Sequence, residues 1–309
     1  MKIVALAGGI GGARFLRGLQ AAVPNATLSV IVNTADDISL YGLRICPDLD
    51  TVMYTLGGGI DEERGWGRQD ETFTTRSELM AYDAPAAWFG LGDRDLATHL
   101  VRRQMLDAGF PLSAVTAALC ERWQPRANLL PMSDDRVETH VTVDLPGGRR
   151  AIHFQEWWVR HRAALPAHAI VAVGAETATP APGVLEAIDG ADVVLLPPSN
   201  PVVSIGTILQ VKGIREALEG KRVVGLSPIV GGAPVRGMAD ACLAAIGVET
   251  SAEAVGRHYG SALLDGWLVD TGDTGATVPG VEVRAVPLLM HDLEATAAMA
   301  RAALDLAGA

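Results

Sequence analysis

Four aspartates lie close together near the amino terminus, just after a glycine-rich turn. The aspartates are Asp36, Asp37, Asp48 and Asp50, and the turn is Gly8-Gly9-Ile10-Gly11-Gly12. Carboxylates are the hard oxygen ligands that a divalent cation prefers, whereas free amides at the start of a helix favour an anion. Acids beside an anion would repel it unless a cation lies between them. The combination therefore indicates a phosphate-bearing ligand held with a divalent metal, and Mg²⁺ is the expected cofactor.

The pattern of apolar residues predicts that this turn joins a strand to a helix. Residues 2–7 predict a buried strand and 13–22 a helix, and further strands are expected at 28–33, 192–197, 222–227 and 282–288. Further helices are expected at 205–219, 236–246 and 292–307. This alternation predicts an α/β, Rossmann-like fold, with a mostly parallel sheet and helices on both faces. In such sheets, ligands bind at the carboxyl ends of the strands.

The middle of the chain interrupts the alternation. Two helices are expected at 93–108 and 112–123, followed by a β-hairpin whose strands are 137–143 and 150–159. We therefore expect a single α/β domain over 1–309, with its core at 1–56 and 170–309. An inserted helix-plus-β-hairpin subdomain is expected at about 57–169.

Two later strand ends carry residues suited to a ligand. Pro197-Pro198-Ser199-Asn200-Pro201 follows one predicted strand, with Ser204 at the start of the next helix, where it is also a reasonable N-cap. Gly231-Gly232 and Arg236 follow another strand. Three such junctions at one edge of a sheet suggest a ligand as long as a nucleotide diphosphate.

Several of these residues have more than one interpretation. Asp36 could ligate a cation, or it could bind the ribose of NAD in a dinucleotide-binding domain. Asp48 and Asp50 would project from one side of an extended segment, or they could begin a helix. Asp93 could simply cap the helix at 93–108. An NAD-binding Rossmann oxidoreductase and a non-catalytic nucleotide- or flavin-binding regulator therefore remain alternatives to a metal-dependent enzyme.

Composition excludes several other classes. The chain has 309 residues and a net charge of −11, which argues against a nucleic-acid partner. No apolar run is long enough to span a membrane, so a membrane partner is not expected and the cytoplasm is the expected location. The three cysteines and seven histidines show no metal-binding spacing.

The motifs taken together resemble a known family. They are GGIGGARFLRGL, VNTADD, PDLDTVMYTLGGG, GWG, GDRDLATHL, LPMSDD, HFQEWWV, PPSNPVVSIGTIL and SPIVGG, in this order. The chain resembles, from residue 1 to about 290, the transferases of deazaflavin coenzyme F-420 biosynthesis. That group comprises 2-phospho-L-lactate transferases and their actinobacterial phosphoenolpyruvate-transferring relatives.

The resemblance implies a Mg²⁺-dependent transferase with a Rossmann-like core. The implied acceptor is the deazaflavin Fo, whose ribityl hydroxyl attacks a guanosine diphosphate derivative of lactate or enolpyruvate and releases GMP. RICPDLDT, GGGIDEERGWG, ERWQP and HFQEWWVR are closer to the actinobacterial members, which favours the enolpyruvyl donor and dehydro-F-420-0 as product, rather than the phospholactyl donor and F-420-0. A homodimer is also implied.

The resemblance also assigns roles to particular residues. Asp36 and Asp50 would be catalytic, and Asp50 and Arg94 would contact Fo. The metal would be held by Asp36, Asp37 and Asp48. The nucleotide would be lined by Gly9, Gly11, Gly12, Ser199, Asn200 and Ser204.

Overall fold

A computed structural model describes all residues from Met1 to Ala309. The strands are β1 (Lys2–Ala7), β2 (Thr27–Val32), β3 (Ile38–Leu40), β4 (Leu43–Ile45), β5 (Asn128–Pro131), β6 (Glu138–Leu145), β7 (Gly148–His153), β8 (Ala169–Val173), β9 (Val193–Leu196), β10 (Val223–Leu226), β11 (Ile229–Val230), β12 (Ala233–Pro234), β13 (Gly266–Val269) and β14 (Glu282–Ala285). The helices are α1 (Gly9–Ala22), α2 (Pro47–Leu56), α3 (Thr74–Ala81), α4 (Asp95–Asp107), α5 (Leu112–Trp123), α6 (Val184–Asp189), α7 (Ile205–Ile208), α8 (Ile214–Ala217), α9 (Ala239–Ala245), α10 (Ala252–Tyr259) and α11 (Leu293–Ala307).

Seven strands form the central sheet. Their order is β14-β13-β10-β9-β1-β2-β5, and every neighbouring pair is parallel. The inner strands are almost entirely buried, as expected for strands covered by helices on both faces. The predicted Rossmann-like α/β fold is confirmed. Because all seven strands run in one direction, their carboxyl ends, and the loops that follow them, lie at one edge of the sheet.

Two hydrophobic cores cover the two faces of the sheet. Successive residues of β1 alternate between them, since Ile3 and Ala5 lie in one core and Val4 and Leu6 in the other. Helices α1, α2, α5 and α11 contribute to the first core, while α6 to α10 contribute to the second. This arrangement fixes α1 and α2 on the same face, so their amino-terminal turns can meet at the carboxyl edge of the sheet.

A smaller antiparallel sheet contains the predicted hairpin. Its order is β7-β6-β8, and Leu145 pairs with Gly148 across a turn formed by Pro146 and Gly147. The second strand was expected to extend to residue 159 but ends at His153. A π-helical turn, Glu156–Arg160, follows it and buries Trp157, whose indole Nε1 donates to the carbonyl of Leu165 at 2.8 Å.

The boundaries expected for the insert need correction. Strand β5 lies within 57–169 but pairs with β2 at the edge of the central sheet. Conversely, β8 pairs with β6 in the small sheet, although nearly all of it was assigned to the core. Neither β5 nor β13 was predicted; β5 ends in a proline and β13 begins with a glycine, and both residues are disfavoured within strands.

Several helices also differ from the prediction. The helix expected at 205–219 is two short helices, α7 and α8, separated at Gly213, whose φ of +95° interrupts helical geometry. Helix α9 begins at Ala239 rather than at 236, and α1 begins at Gly9 rather than at 13. None of the helices has the combination of length and apolarity that crossing a membrane requires.

Candidate active site

The glycine-rich turn is the first turn of α1 and packs against the loop after β9. Gly9 has a φ of +66°, which favours glycine. A Cβ on Gly12 would lie 2.5 Å from the hydroxyl oxygen of Ser199, and one on Gly11 would collide with the carbonyl oxygen of Pro198. These glycines therefore allow the close approach of two strand-to-helix junctions, which is a structural reason for their presence.

The six residues expected to line a nucleotide come together at this junction. The Ser199 hydroxyl donates to the carbonyl of Gly8 at 2.8 Å and accepts from its amide at 3.2 Å. The side-chain oxygen of Asn200 accepts from the amide of Val202 at 2.9 Å. Ser204 is buried beside Gly8 and is the N-cap residue of α7, although its hydroxyl caps no amide. The Ser199 and Asn200 side chains thus already have local partners.

Asp48 links the start of α2 to the start of α1. Its Oδ1 accepts from the amide of Gly9 at 2.7 Å, and its Oδ2 accepts from the side-chain amide of Asn33 at 2.9 Å. Burial raises the pKa of the Asp48 carboxyl to about 6, although both hydrogen bonds oppose that shift. Asp48 is therefore a buried carboxylate at the meeting point of β1, β2 and α2.

Asp36 lies beside Asp48, in the loop after β2, and has no cationic partner. It is buried, it forms no ion pair, and its Oδ1 is enclosed without a hydrogen-bond partner. Burial raises the pKa of Asp36 well above its usual range, and the negative charge of Asp48 raises it further, although the nearby side chains of Thr139 and Asn33 lower it slightly. Two carboxylates thus lie in each other's field, and neither is paired with a cationic side chain.

The other two aspartates are neutralised by arginines. Asp37 pairs with Arg44, whose Nε and Nη2 both lie 2.9 Å from Asp37 Oδ2. Asp50 forms a buried ion pair with Arg102. The four acids therefore divide into an arginine-paired set and an unpaired set, which consists of Asp36 and Asp48.

Of the two interpretations of Asp48 and Asp50, the extended segment is wrong and the start of a helix is correct. Both lie in the first turn of α2, which begins at Pro47, a residue whose fixed φ suits the first helical position. Residues two apart on a helix point about 200° apart. Asp48 accordingly faces α1, whereas Asp50 faces α4.

Asp50 belongs to a buried polar network that was not predicted from the sequence. Arg102 Nη1 lies 3.1 Å from His99 Nδ1, and because arginine can only donate, that nitrogen must accept. His99 Nε2 then carries the proton and faces Asp95 Oδ2 at 3.4 Å. The Tyr54 hydroxyl donates to Asp95 Oδ1 at 2.6 Å. Asp50 Oδ2 has no hydrogen-bond partner and remains free to accept one.

The network could have been found from spacing. Asp95, His99 and Arg102 are four and then three residues apart, so they share one face of a helix. The absence of metal-binding spacing among the histidines and cysteines gives no role to His99. Its partners are instead acids and an arginine on α2 and α4.

Arg94 is placed by an exchange of helix caps. Asp93 was expected to cap α4, but it accepts from the amides of Thr74 and Thr75 at 2.8 and 2.9 Å and so caps α3. Glu71 caps α4 instead, since it accepts from the amide of Arg94 at 2.6 Å. The Arg94 guanidinium is exposed and has no protein partner. It lies at the amino-terminal end of α4, the same end at which Asp95 and His99 lie close to Asp50.

The unpaired carboxylates fit a divalent cation. Asp36 and Asp48 offer oxygen ligands whose mutual repulsion a cation would relieve, and Mg²⁺ prefers such ligands. One oxygen each of Asp50 and Asp95 and a nitrogen of His99 also lie within 4.8 Å of one another. That second group already contains the Arg102 guanidinium, which makes it a poorer site for a cation.

Comparison with known proteins places this chain in a family. Residues 3–302 match the model of the family described as 2-phospho-L-lactate transferase CofD. The chain is 68% identical to a phosphoenolpyruvate transferase of Thermobifida fusca, over 99% of this chain and 98% of the relative. It is 70% identical to one of Streptomyces griseus over the same shares. A phosphoenolpyruvate transferase of Mycolicibacterium smegmatis is 60% identical over 100% and 99% of the two chains.

Solved structures agree on the fold. A UPF0052 family protein from Bacillus halodurans superposes with a TM-score of 0.61 at 16% identity, over 98% of both chains. A second structure from that organism gives a TM-score of 0.62 at 17% identity, over 98% of this chain and 99% of the other. The family match favours the transferase expectation over the NAD-binding oxidoreductase and the non-catalytic regulator. The chain belongs to the 2-phospho-L-lactate transferase CofD family, and it is therefore an enzyme of the transferase class.

Proposed function

We propose that this chain transfers a phosphoenolpyruvyl group from a guanosine diphosphate donor to the ribityl hydroxyl of Fo, releasing GMP and giving dehydro-F-420-0. The observation that carries the proposal is that two neighbouring carboxylates, those of Asp36 and Asp48, have no cationic partner and lie beside the glycine turn of a CofD-family chain. The names of the relatives that are 60–70% identical favour the enolpyruvyl donor over the phospholactyl donor, which would give F-420-0.

The donor would lie along the strand ends that carry the glycine turn and the loop after β9. The glycine turn brings the positive end of α1 to this edge, which suits a phosphate. Gly9 and Gly11, both partly exposed, would bound one side of the nucleotide, and Asn200 and Ser204 the other. Ser199 would act mainly by holding the two junctions together through Gly8.

Asp36 and Asp48 would hold Mg²⁺. When bound, the ion would neutralise negative charge on the phosphates of the donor as the bond to GMP breaks. Asp37 is not included in this set, although the sequence suggested it, because Arg44 already neutralises its charge. Asn33 supports the set by donating to Asp48, which orients that carboxylate.

Asp50 and Arg94 would act on the acceptor. The enclosed Asp50 Oδ2 can accept a hydrogen bond, and then the proton, from the ribityl hydroxyl, while Arg102 holds the other oxygen. The hydroxyl oxygen bonds to the phosphorus distal to guanosine, the bridging P–O bond breaks, and GMP leaves with the bridging oxygen. Arg94, exposed and unpartnered, can bind a polar edge of Fo.

Product analysis tests this proposal. The protein is incubated with Mg²⁺, Fo and either the enolpyruvyl or the phospholactyl guanosine diphosphate donor, and the products are identified by mass spectrometry. We expect GMP and an Fo extended through a phosphodiester, with faster formation from the enolpyruvyl donor. Absence of an extended Fo with both donors would refute the transferase reaction proposed here, and faster reaction of the phospholactyl donor would refute the donor assignment alone.

A further inference from the structure

A short loop lies across the start of α1 and is fastened there by arginines. The loop is Ile60–Arg68, whose two end residues form an antiparallel bridge. Arg14 Nη2 donates to the carbonyl of Glu62 at 3.3 Å, while Arg17 pairs with the Glu62 carboxylate. From the segment after β12, Arg236 Nη2 donates to the carbonyl of Arg64 at 2.6 Å.

Arg14 and Arg236 are neighbouring arginines, and neither has an acidic partner. The acids outnumber the lysines and arginines by 36 to 25, so acidic partners are abundant, yet none lies against these two guanidiniums. Arg17 is neutralised by Glu62, but the guanidiniums of Arg14 and Arg236 donate only to neutral carbonyls. Partial burial lowers the pKa of Arg236, and the positive charge of Arg14 lowers it further, as expected for two neighbouring cations.

The pair lies beside the glycine turn of the site described above. A Cβ on Gly65 would lie 3.0 Å from Arg236 Nη1 and 3.0 Å from the Cγ2 atom of Ile10, so the Arg236 guanidinium and Ile10 both lie against Gly65. Ile10 follows Gly9, whose amide Asp48 caps. The two positive charges are therefore close to the glycine turn, on the side of it that the loop covers.

We propose that Arg14 and Arg236 together bind the diphosphate of the donor, exchanging the two loop carbonyls for phosphate oxygens. Hydrogen bonds between a guanidinium and a phosphate are stronger than those to a neutral carbonyl, so the exchange is favourable. Two adjacent guanidiniums match a group with more than one negative charge better than a single carboxylate. The inference rests on the proposed function, because the diphosphate is that of the proposed donor.

Binding of nucleotides by calorimetry tests the inference without turnover. The ligands are GDP, GMP and phosphoenolpyruvate, each with Mg²⁺, and the proteins are wild type, Arg14→Gln and Arg236→Gln. We expect each substitution to weaken GDP binding by about tenfold, the effect of losing one charge-assisted hydrogen bond, and to weaken GMP binding less. Arg236→Lys keeps the positive charge but loses the planar guanidinium with its paired donors. Its affinity for GDP should lie between those of wild type and Arg236→Gln.

Arg126→Gln provides a matched control. Arg126 also lacks an acidic partner and donates to a carbonyl, that of Pro24, but it precedes β5 at the opposite edge of the sheet. The Arg126→Gln variant should bind GDP with the same affinity as wild type. Equal GDP affinity in wild type and both Gln variants would overturn the inference alone, and so would a loss confined to phosphoenolpyruvate. Failure of the wild type to bind GDP would count against the proposed donor as well.

Discussion

Asp48 Oδ1 accepts a hydrogen bond from the Gly9 amide at 2.7 Å, so the carboxylate at the start of α2 caps the start of α1. This contact explains how two segments 39 residues apart in sequence make one site. Two helix amino termini at one carboxylate would favour its ionised form, yet burial raises the pKa of Asp48 to about 6. Burial thus outweighs the two helix termini, and a cation placed at this carboxylate would favour its ionised form.

Asp36→Asn separates metal binding from folding. Asp36 has no cationic partner and its Oδ1 accepts no hydrogen bond, so an amide removes a buried charge and its repulsion with Asp48 at the cost of only weak contacts with Thr139 and Asn33. Without metal the variant should be more stable than wild type by about 1 kcal/mol at neutral pH. It should also lose the increase in melting temperature that Mg²⁺ gives to wild type, as measured by thermal denaturation with EDTA or Mg²⁺.

Asp48→Asn is not an equivalent substitution and serves as a contrast. In the wild type, the side-chain amide of Asn33 donates to Asp48 Oδ2. In the variant, the NH₂ group of the new asparagine would face that donor, so the hydrogen bond would be lost. We therefore expect metal-free Asp48→Asn to gain less stability than Asp36→Asn. A metal-dependent stabilisation that survives in Asp36→Asn would contradict the assignment of the metal ligands.

Stability should depend on pH through Asp48. The pKa of its carboxyl is about 6 in the folded protein and 3.8 ordinarily, so the folded state binds the proton more tightly than the unfolded state. The resulting stabilisation is complete below about pH 4 and is lost as the pH rises through about 6. Mg²⁺ competes with that proton, so it should raise the melting temperature more at about pH 7.5 than at about pH 5. An equal effect of Mg²⁺ at both values would argue against Asp48 as a ligand.

Asp50 and Arg102 form a buried ion pair, so removing the arginine should lower the stability strongly, and removing the aspartate as well should restore most of it. Arg102→Met leaves the Asp50 carboxylate buried without its partner, which should cost about 3–5 kcal/mol in the free energy of unfolding. Asp50→Asn in the same chain removes the unpaired charge and should restore most of that loss. Urea denaturation of the two single variants and the double variant measures the coupling. Additive losses in the double variant would show that the pair does not act as a unit.

Arg94→Gln should affect acceptor binding and little else. The Arg94 guanidinium is exposed and unpartnered, so the free energy of unfolding should change by no more than about 0.5 kcal/mol. The KM for Fo should rise by about tenfold if the guanidinium donates to Fo, while the KM for the donor should not change. Steady-state kinetics with each substrate varied in turn measures both. A change in the donor KM alone would place Arg94 on the other side of the site.

The sequence predicted the parts of the site whose signals are local. Apolar runs located β1, β2 and β9, and the polar residues that follow them do meet at one edge of the sheet. What could not be predicted was the pairing of charges. Nothing in the order of residues tells that Arg44 neutralises Asp37 while Asp36 has no cationic partner, because those contacts depend on how the elements pack.

Other errors came from signals that were present but ambiguous. Pro47 ahead of two aspartates fits either an extended segment or a first helical turn, and α2 adopts the second. Glu71 precedes α3 and Asp93 precedes α4, so each would be expected to cap the helix that follows it. Instead, Asp93 caps α3 and Glu71 caps α4. Such exchange of caps needs the two segments to be adjacent in space, which sequence spacing does not reveal.

The most direct test of the account is the release of GMP from the enolpyruvyl donor in the presence of Fo and Mg²⁺. We expect wild type to form one phosphodiester-extended Fo for each GMP released, EDTA to abolish the reaction, and Asp36→Asn to be nearly inactive although it is folded. Product formation that is equal in wild type and Asp36→Asn, or unchanged by EDTA, would contradict the proposed metal-assisted transfer.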